Sequence, residues 1–333
     1  MRLRSFALPA VAALVLLALA LAGCGSSAKP GSRPLKQATL ILDFTPNAIH
    51  TGIYSALARS YDVDAGVRLH VIAPGASTDA IKLLETGRVN FAILDIHDLA
   101  IARERGENIV GIMAIVERPL AAVIAQPGIR SPRQLDGRTI GVTGDPSDYA
   151  VLDSIVAGAG GDPHELHEIT IGFDAVPDLL AGRVAAATAF WNDEGVALTH
   201  ARPGFHIFQV YDYGAPSYPE LVLCATVSTL RHDPALATDV VKALVRGYRF
   251  TLTNPQAGAA DLERLVPGLA PKLVAEELAG ELPAFKGPDG QVGELDLPEL
   301  RTWAAWEARF KIVTHPPDVA RMFDGRFLAA AER

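Results

Sequence analysis

The stretch Thr39-Leu40-Ile41-Leu42-Asp43-Phe44-Thr45-Pro46 returns 100 residues later as Thr139-Ile140-Gly141-Val142-Thr143-Gly144-Asp145-Pro146. In each copy a short apolar run ends in a polar, proline-containing loop and leads into helical spacing, the pattern of a strand feeding a helix. A second echo follows in the same order: Leu84-Glu85-Thr86-Gly87-Arg88-Val89-Asn90-Phe91-Ala92 against Leu179-Leu180-Ala181-Gly182-Arg183-Val184-Ala185-Ala186-Ala187, 95 residues apart. There a helix stops on glycine, which tolerates the left-handed backbone of a helix end, and Arg-Val opens a strand. Two echoes in one order imply an α/β chain of two similarly designed lobes. Around them the periodicity predicts strands over 39–42, 68–72, 91–94, 110–116, 121–125 and 139–142, and helices over 51–60, 78–86, 99–106 and 147–159. Segments 168–171, 176–181 and 185–190 continue the alternation, and from Asp233 the pattern is mostly helical, punctuated by Pro255, Pro267, Pro271 and Pro283.

Upstream of the first echo, Arg2 and Arg4 precede an apolar run from Phe6 to Leu21 that closes on Leu21-Ala22-Gly23-Cys24. A basic start, a short apolar core and small residues before a cut describe a secretory signal peptide over 1–23. Leu-Ala-Gly-Cys resembles a bacterial lipobox, which implies lipidation of Cys24 and attachment to the outer face of the cell membrane. The Gly/Ser/Pro-rich run that follows buries no apolar surface, so 24–36 reads as a flexible tether.

The chain from Cys24 onward has 310 residues, enough for well-buried cores. Loss of Arg2 and Arg4 leaves 28 basic against 38 acidic side chains and moves the net charge from -8 to -10, with no basic run. That excludes a nucleic-acid surface. With Cys24 acylated, Cys224 is the lone thiol, so neither a disulfide nor a thiolate metal site is expected.

In open α/β sheets ligands sit beyond the carboxyl ends of the strands. Four segments, 44–51, 95–98, 143–149 and 191–195, should therefore face one interlobe cleft. They carry Phe44, Asn47, His50, Asp95, His97, Asp98, Ser147, Asp148, Tyr149, Trp191, Asn192 and Glu194. His97 reads either as a ligand contact or as a satisfied polar residue at a strand end. Glu194 reads as a site carboxylate, a helix cap, or both.

Leu42-Asp43-Phe44-Thr45-Pro46-Asn47-Ala48-Ile49-His50-Thr51-Gly52-Ile53-Tyr54 resembles the signature opening of the thiamine-precursor-binding group of bacterial substrate-binding lipoproteins, in the thiamine pyrimidine synthase-like superfamily. The usual form has Trp at the Phe44 position. Ser131 to Arg138, Phe190-Trp191-Asn192-Asp193-Glu194-Gly195 and Tyr213 to Val222 add to the resemblance. It implies a type II periplasmic-binding-protein fold with two crossovers, near 117–120 and 218–226. Lobe 1 would then comprise 37–118 plus 225–330 and lobe 2 would comprise 119–224. It also implies an ABC permease and ATPase as partners, a monomeric receptor without cofactor, and a flat nitrogen heterocycle as ligand. Such a ligand needs aromatic faces, for which Phe44 and Trp191 stand first and Tyr149 and Tyr218 next, and a carboxylate for paired donors, for which Glu194 matches the family's acidic position. Phe44 in place of Trp and the turn Asp145-Pro146-Ser147-Asp148-Tyr149 look more like the riboflavin binders of the group, so pyrimidine and flavin both stay open.

The superfamily's pyrimidine synthases supply the enzyme alternative. They consume a histidine, whose position His97 resembles, and hold pyridoxal phosphate on a lysine four residues earlier. Here that residue is Ile93, which cannot form a Schiff base, and the late cysteine cluster is reduced to Cys224. No enzyme activity is expected. His164-Glu165-Leu166-His167 lacks zincin spacing and reads as a polar helix start, and Trp303 and Trp306 read as packing residues.

Overall fold

The computed structural model describes residues 34–75 and 80–333; the expected signal peptide, Cys24 and the start of the helix expected over 78–86 lie outside them. The chain separates into a short unit, Met1–Pro34, and the compact unit Leu35–Arg333, whose fold follows.

The strands are β1 (Lys36–Ile41), β2 (Val67–Ile72), β3 (Phe91–Asp95), β4 (Ile109–Val116), β5 (Ala121–Ala125), β6 (Thr139–Val142), β7 (His167–Thr170), β8 (Ala186–Phe190), β9 (His206–Gln209) and β10 (Leu221–Thr226). They form two five-stranded sheets, ordered β2-β1-β3-β10-β4 and β7-β6-β8-β5-β9. The repeated sequences occupy matching places: β1 and β6 are second in each sheet, β3 and β8 third. Register matches too, with Leu40 opposite Phe91 in one sheet and Ile140 opposite Ala186 in the other. The glycines of the second echo, Gly87 and Gly182, share φ +68°, a left-handed turn that strains other residues. The fourth strand of each sheet is antiparallel and is supplied by the chain as it arrives from the other sheet.

The first change of sheet falls between Val116 and Ala121, the second between Gln209 and Leu221. The second is earlier than expected. The boundary expected after Cys224 lies inside β10, which pairs with β3 from Leu221 opposite Asp95 to Cys224 opposite Ala92. Its run Leu-Val-Leu-Cys-Ala is buried throughout and lacks the polar alternation of a half-exposed strand, as a central strand should.

The helices that position the site are α1 (Thr51–Ala58), α2 (Ile96–Glu104), α3 (Pro146–Gly158), α4 (Glu194–Ala201), α5 (Pro234–Thr253), α6 (Pro271–Glu281) and α7 (Leu297–Arg309). α2 begins three residues before the expected start at 99, because the Asp95 side chain caps it by accepting the His97 N–H at 2.7 Å. Trp303 and Trp306 of α7 are buried in the core. Among the described residues no helix is long and apolar enough to cross a membrane.

Candidate functional site

A cleft holding about 980 Å³ of empty space, partly open to solvent, lies where loops after β1, β3, β6, β7 and β8 converge. Six acidic residues line it, Asp43, Asp95, Asp98, Asp145, Asp148 and Glu194, and among the described residues no Lys, Arg or His does. Its other walls are aromatic or aliphatic, apart from the hydroxyls of Thr143, Ser147 and Thr188. Phe44, after β1, meets Phe173, after β7, edge to face with centroids 4.5 Å apart, so the two sheets touch across the cleft through a pair of rings. Phe190 at the end of β8 and Ile93 in β3 continue the apolar wall.

Each carboxyl has a structural setting. Asp148 Oδ2 accepts from Thr143 N and Thr143 Oγ1, both at 2.6 Å, and from Thr188 Oγ1 at 2.9 Å, tying the α3 start to β8. Burial nevertheless raises its pKa. Glu194 Oε2 accepts the Phe190 N–H at 3.0 Å, so it closes the turn and lines the cleft at once. Burial, with Asp193 next to it, pushes its pKa up to about 8. Burial, with Asp145 and Asp148 nearby, carries Asp98 to about 8 against the hydrogen bond from Ser147. Carboxyls that hold their protons near neutral pH donate as well as accept, so this cleft can offer paired O–H and C=O groups to a ring nitrogen and an adjacent amine.

Of the thirteen residues expected in the site, Phe44, Asp95, Asp98, Ser147, Asp148 and Glu194 line the cleft; Asn47, His50, His97, Tyr149, Trp191, Asn192 and Tyr218 do not. Helical geometry removes Tyr149: Ser147 and Val151, four apart on α3, face the cleft, which turns Tyr149 outward to an exposed position. Trp191 turns away in the tight reversal after β8, where its indole N–H donates to the Pro119 carbonyl at 3.1 Å. Asn192 is buried and donates to Glu281 of α6 at 2.5 Å. Asn47 caps the turn before α1, accepting from Ile49 N at 3.1 Å, and donates to Asp193. Fully buried His50 accepts the Asn47 N–H on Nδ1 at 3.2 Å and donates from Nε2 to Asp43 at 3.0 Å, so it fixes a lining carboxylate from behind. Phe173, Asp43 and Asp145 were absent from the expected set. Their signal was position: all three follow strand ends, but the loop after β7 was not counted among the cleft segments.

His97 and Tyr218 sit behind the cleft floor, at the junction of the sheets. His97 Nδ1 pairs with Glu307 of α7, and its Nε2 lies 3.1 Å from Tyr218 Oη and 4.0 Å from Glu220 Oε1. Burial alone would lower its pKa, but Glu307, Asp95 and Glu220 together hold it at about 10. Glu220 Oε2 accepts the backbone N–H groups of Leu120 and Ala121, so a side chain from the second crossover holds the first.

Comparison with known proteins follows the same lines. A formylaminopyrimidine-binding protein of Halalkalibacterium halodurans is 28% identical over 304 residues, covering 89% of this chain and 92% of that protein. A 4-amino-5-hydroxymethyl-2-methylpyrimidine phosphate synthase of Legionella pneumophila is 22% identical, covering 87% and 92%. The riboflavin-binding protein RibY of Chloroflexus aurantiacus is 25% identical, covering 68% and 66%. Among solved structures, the alkanesulfonate-binding protein SsuA of Xanthomonas axonopodis superposes with a TM-score of 0.70 at 13% identity, over 88% of this chain and 99% of that one. Such a likeness shows a type II periplasmic-binding-protein fold. The profile of the family described as NMT1/THI5 like matches residues 47–258, and the chain, with its paired sheets and the cleft between them, belongs to that family.

Proposed function

We propose that this chain is the lipid-anchored solute-binding component of an ABC importer and captures an amino-substituted pyrimidine of the thiamine-precursor type between two closing lobes, 37–118 plus the C-terminal part and the segment carrying β5 to β9. The observation that carries the ligand class is a cleft with aromatic walls, six acidic residues and no cationic side chain among those described. An aminopyrimidine presents a ring nitrogen beside an amine, which a carboxyl group meets with two parallel hydrogen bonds, and a flat face for Phe44 and Phe173. A sulfonate, the kind of ligand that names the Xanthomonas protein of the same fold, would face only acids here. A flavin brings a carbonyl-rich edge that calls for more donors than these carboxyls supply, since the Thr143 and Thr188 hydroxyls already donate to Asp148 and that of Ser147 to Asp98. Transport rather than turnover is supported by Ile93 in the cleft wall, an alkyl group where a Schiff-base lysine would be needed. Capture outside the membrane and a lipid on Cys24 rest on the sequence of 1–24, and a tethered receptor stays within reach of its permease.

The test is a melting panel of the purified protein with hydroxymethylpyrimidine, its formylamino relative, riboflavin and thiamine. A true ligand at a hundredfold excess over its dissociation constant should add ~2.7 kcal/mol of stability. An aminopyrimidine is expected to shift the melt and to be recovered chemically unchanged; riboflavin shifting it alone, or conversion of the bound pyrimidine, would overturn the reading. Phe173→Ala removes one ring of the pair and is expected to weaken capture about tenfold or more, since an aromatic contact contributes about 0.5–1.5 kcal/mol beyond the area it covers. The same variant without ligand should melt close to the parent, because Phe173 is half-buried at the cleft edge and is not a core residue. Unchanged affinity in titration calorimetry would remove Phe173 from the site.

A further inference from the structure

We propose that Asp95, His97 and Glu220 form a site for one divalent transition-metal ion of the zinc type at the junction of the two sheets. One donor atom from each lies within 4.8 Å of the others, with His97 Nε2 4.0 Å from Glu220 Oε1. One imidazole and two carboxylates are donors that zinc accepts at about 2.0–2.2 Å, and three protein ligands leave a fourth position open. Closing to that distance asks each side chain to draw inward by about an ångström.

Three further observations point the same way. Glu220 is fully buried, its Oε2 is taken by two backbone N–H groups, and its remaining oxygen meets no N–H or hydroxyl donor among the described residues, only the acidic side chain of Asp95. A buried oxygen left in that state calls for a partner. Second, Glu307 engages Nδ1 of His97, which leaves Nε2 facing Tyr218 Oη at 3.1 Å and Glu220 at 4.0 Å, so an ion would take Nε2 in place of the tyrosine hydroxyl; a carboxylate behind a histidine is the usual outer support of a metal ligand. Third, the site borders the cleft: Asp95 lines it, as does Leu221 next to Glu220, while His97 and Glu220 lie just behind its floor. The charged groups facing His97 are Asp95 at the end of β3, Asp98 of α2, Glu307 of α7 and Glu220 of the second crossover, all acidic. An ion held there would link the cleft floor, through Glu220, to the backbone of the first crossover. The competing arrangement fills the same space with a proton shared between Asp95 and Glu220 and needs no metal.

The experiment uses tag-free protein stripped with a chelator and dialysed against zinc, with metal counted per chain. One zinc per chain is expected at low micromolar free metal. Asp95→Asn keeps an oxygen to cap α2, and Glu220→Gln keeps a carbonyl for Leu120 and Ala121, so both should fold, as their melts will report, yet bind zinc at least about tenfold more weakly. Asp289→Asn, on an exposed turn, should bind as the parent does. No zinc retained by the parent at about 100 µM, or retention undiminished in both variants, overturns the proposal. If a variant fails to fold, the cobalt-loaded parent decides. A paramagnetically shifted imidazole N–H resonance supports the site, and its absence from a protein carrying one cobalt overturns it.

Discussion

Raising the pH from about 5 to about 8 is expected to lower the melting temperature of the ligand-free protein by at least ~5 °C, with the steepest fall between the ordinary carboxylate pKa and about 8. The cause is a row of buried acids where α4 meets α6 and the turn before α1. Glu277 is nearly fully buried, and burial, with Asp193 and Glu194 nearby, raises its pKa to about 8 in spite of a hydrogen bond from the Ala48 backbone. Glu194 is likewise carried to about 8, first by burial and then by Asp193. Burial takes Asp193 to about 6 despite the Asn47 hydrogen bond, and burial raises Glu281 well above its ordinary value. A group whose folded pKa lies above its unfolded one holds a proton in the native state that the unfolded chain has already released. Its stabilisation is therefore complete below pH about 4.5 and is lost as the pH climbs to the folded value, at ~1.4 kcal/mol per unit for each group. Asp233 works in the opposite sense, lowered chiefly by the hydrogen bond from Lys36, and is too exposed to offset the trend. Glu277→Gln keeps the shape and removes one titrating group, so its melting curve should fall less over the same range. A parent melting temperature that stays level or rises from pH 5 to pH 8 would refute this account.

The same acids show how much of the site was legible in the sequence. Strand ends were legible because β3, β4 and β5 read as apolar runs, and the two echoes land on matching strands of matching register. Direction within a loop was not. Trp191 and Glu194 are three residues apart, yet the turn after β8 sends one to Pro119 and the other to the cleft, and no periodicity governs a tight turn. β10 was not legible as a strand, its residues falling within the expected second crossover, since membership of a sheet depends on where the chain has just been. Glu307 and Glu281 were invisible as partners of His97 and Asn192 because they lie 210 and 89 residues away. Such contacts come from the return of the C-terminal helices and not from any local pattern.

The tightest of those returning contacts gives the second large effect: Gly247→Ala is expected to destabilise the fold by ~3 kcal/mol or more and to weaken ligand capture with it. A Cβ on Gly247 of α5 would stand 2.0 Å from the Gly52 carbonyl oxygen of α1 and 3.0 Å from Ala56, and a Cβ on Gly52 would stand 2.3 Å from the Tyr248 ring. The helices interlock through two missing side chains, and a backbone carbonyl cannot rotate away as a flexible side chain can. The helices must therefore part, which costs about 1–3 kcal/mol as overpacking and more where hydrogen bonds stretch. Here one would: Tyr248 Oη donates to the Ile49 carbonyl at 2.9 Å. Alanine is the better helix former by ~1 kcal/mol, so a net loss isolates the contact from helix propensity. The effect reaches the cleft because α1 starts at Thr51, directly after His50, and His50 and Asn47 hold Asp43 and the Phe44 loop in place. Displacing α1 moves a whole wall of the site. Gly75→Ala, on an exposed stretch where an added Cβ meets nothing within 4 Å, is the matched control and should melt with the parent. Chemical denaturation of the two variants decides the matter: a Gly247→Ala midpoint equal to that of Gly75→Ala would mean that α1 and α5 do not pack through bare backbone, and the link between that contact and the cleft wall would fall with it.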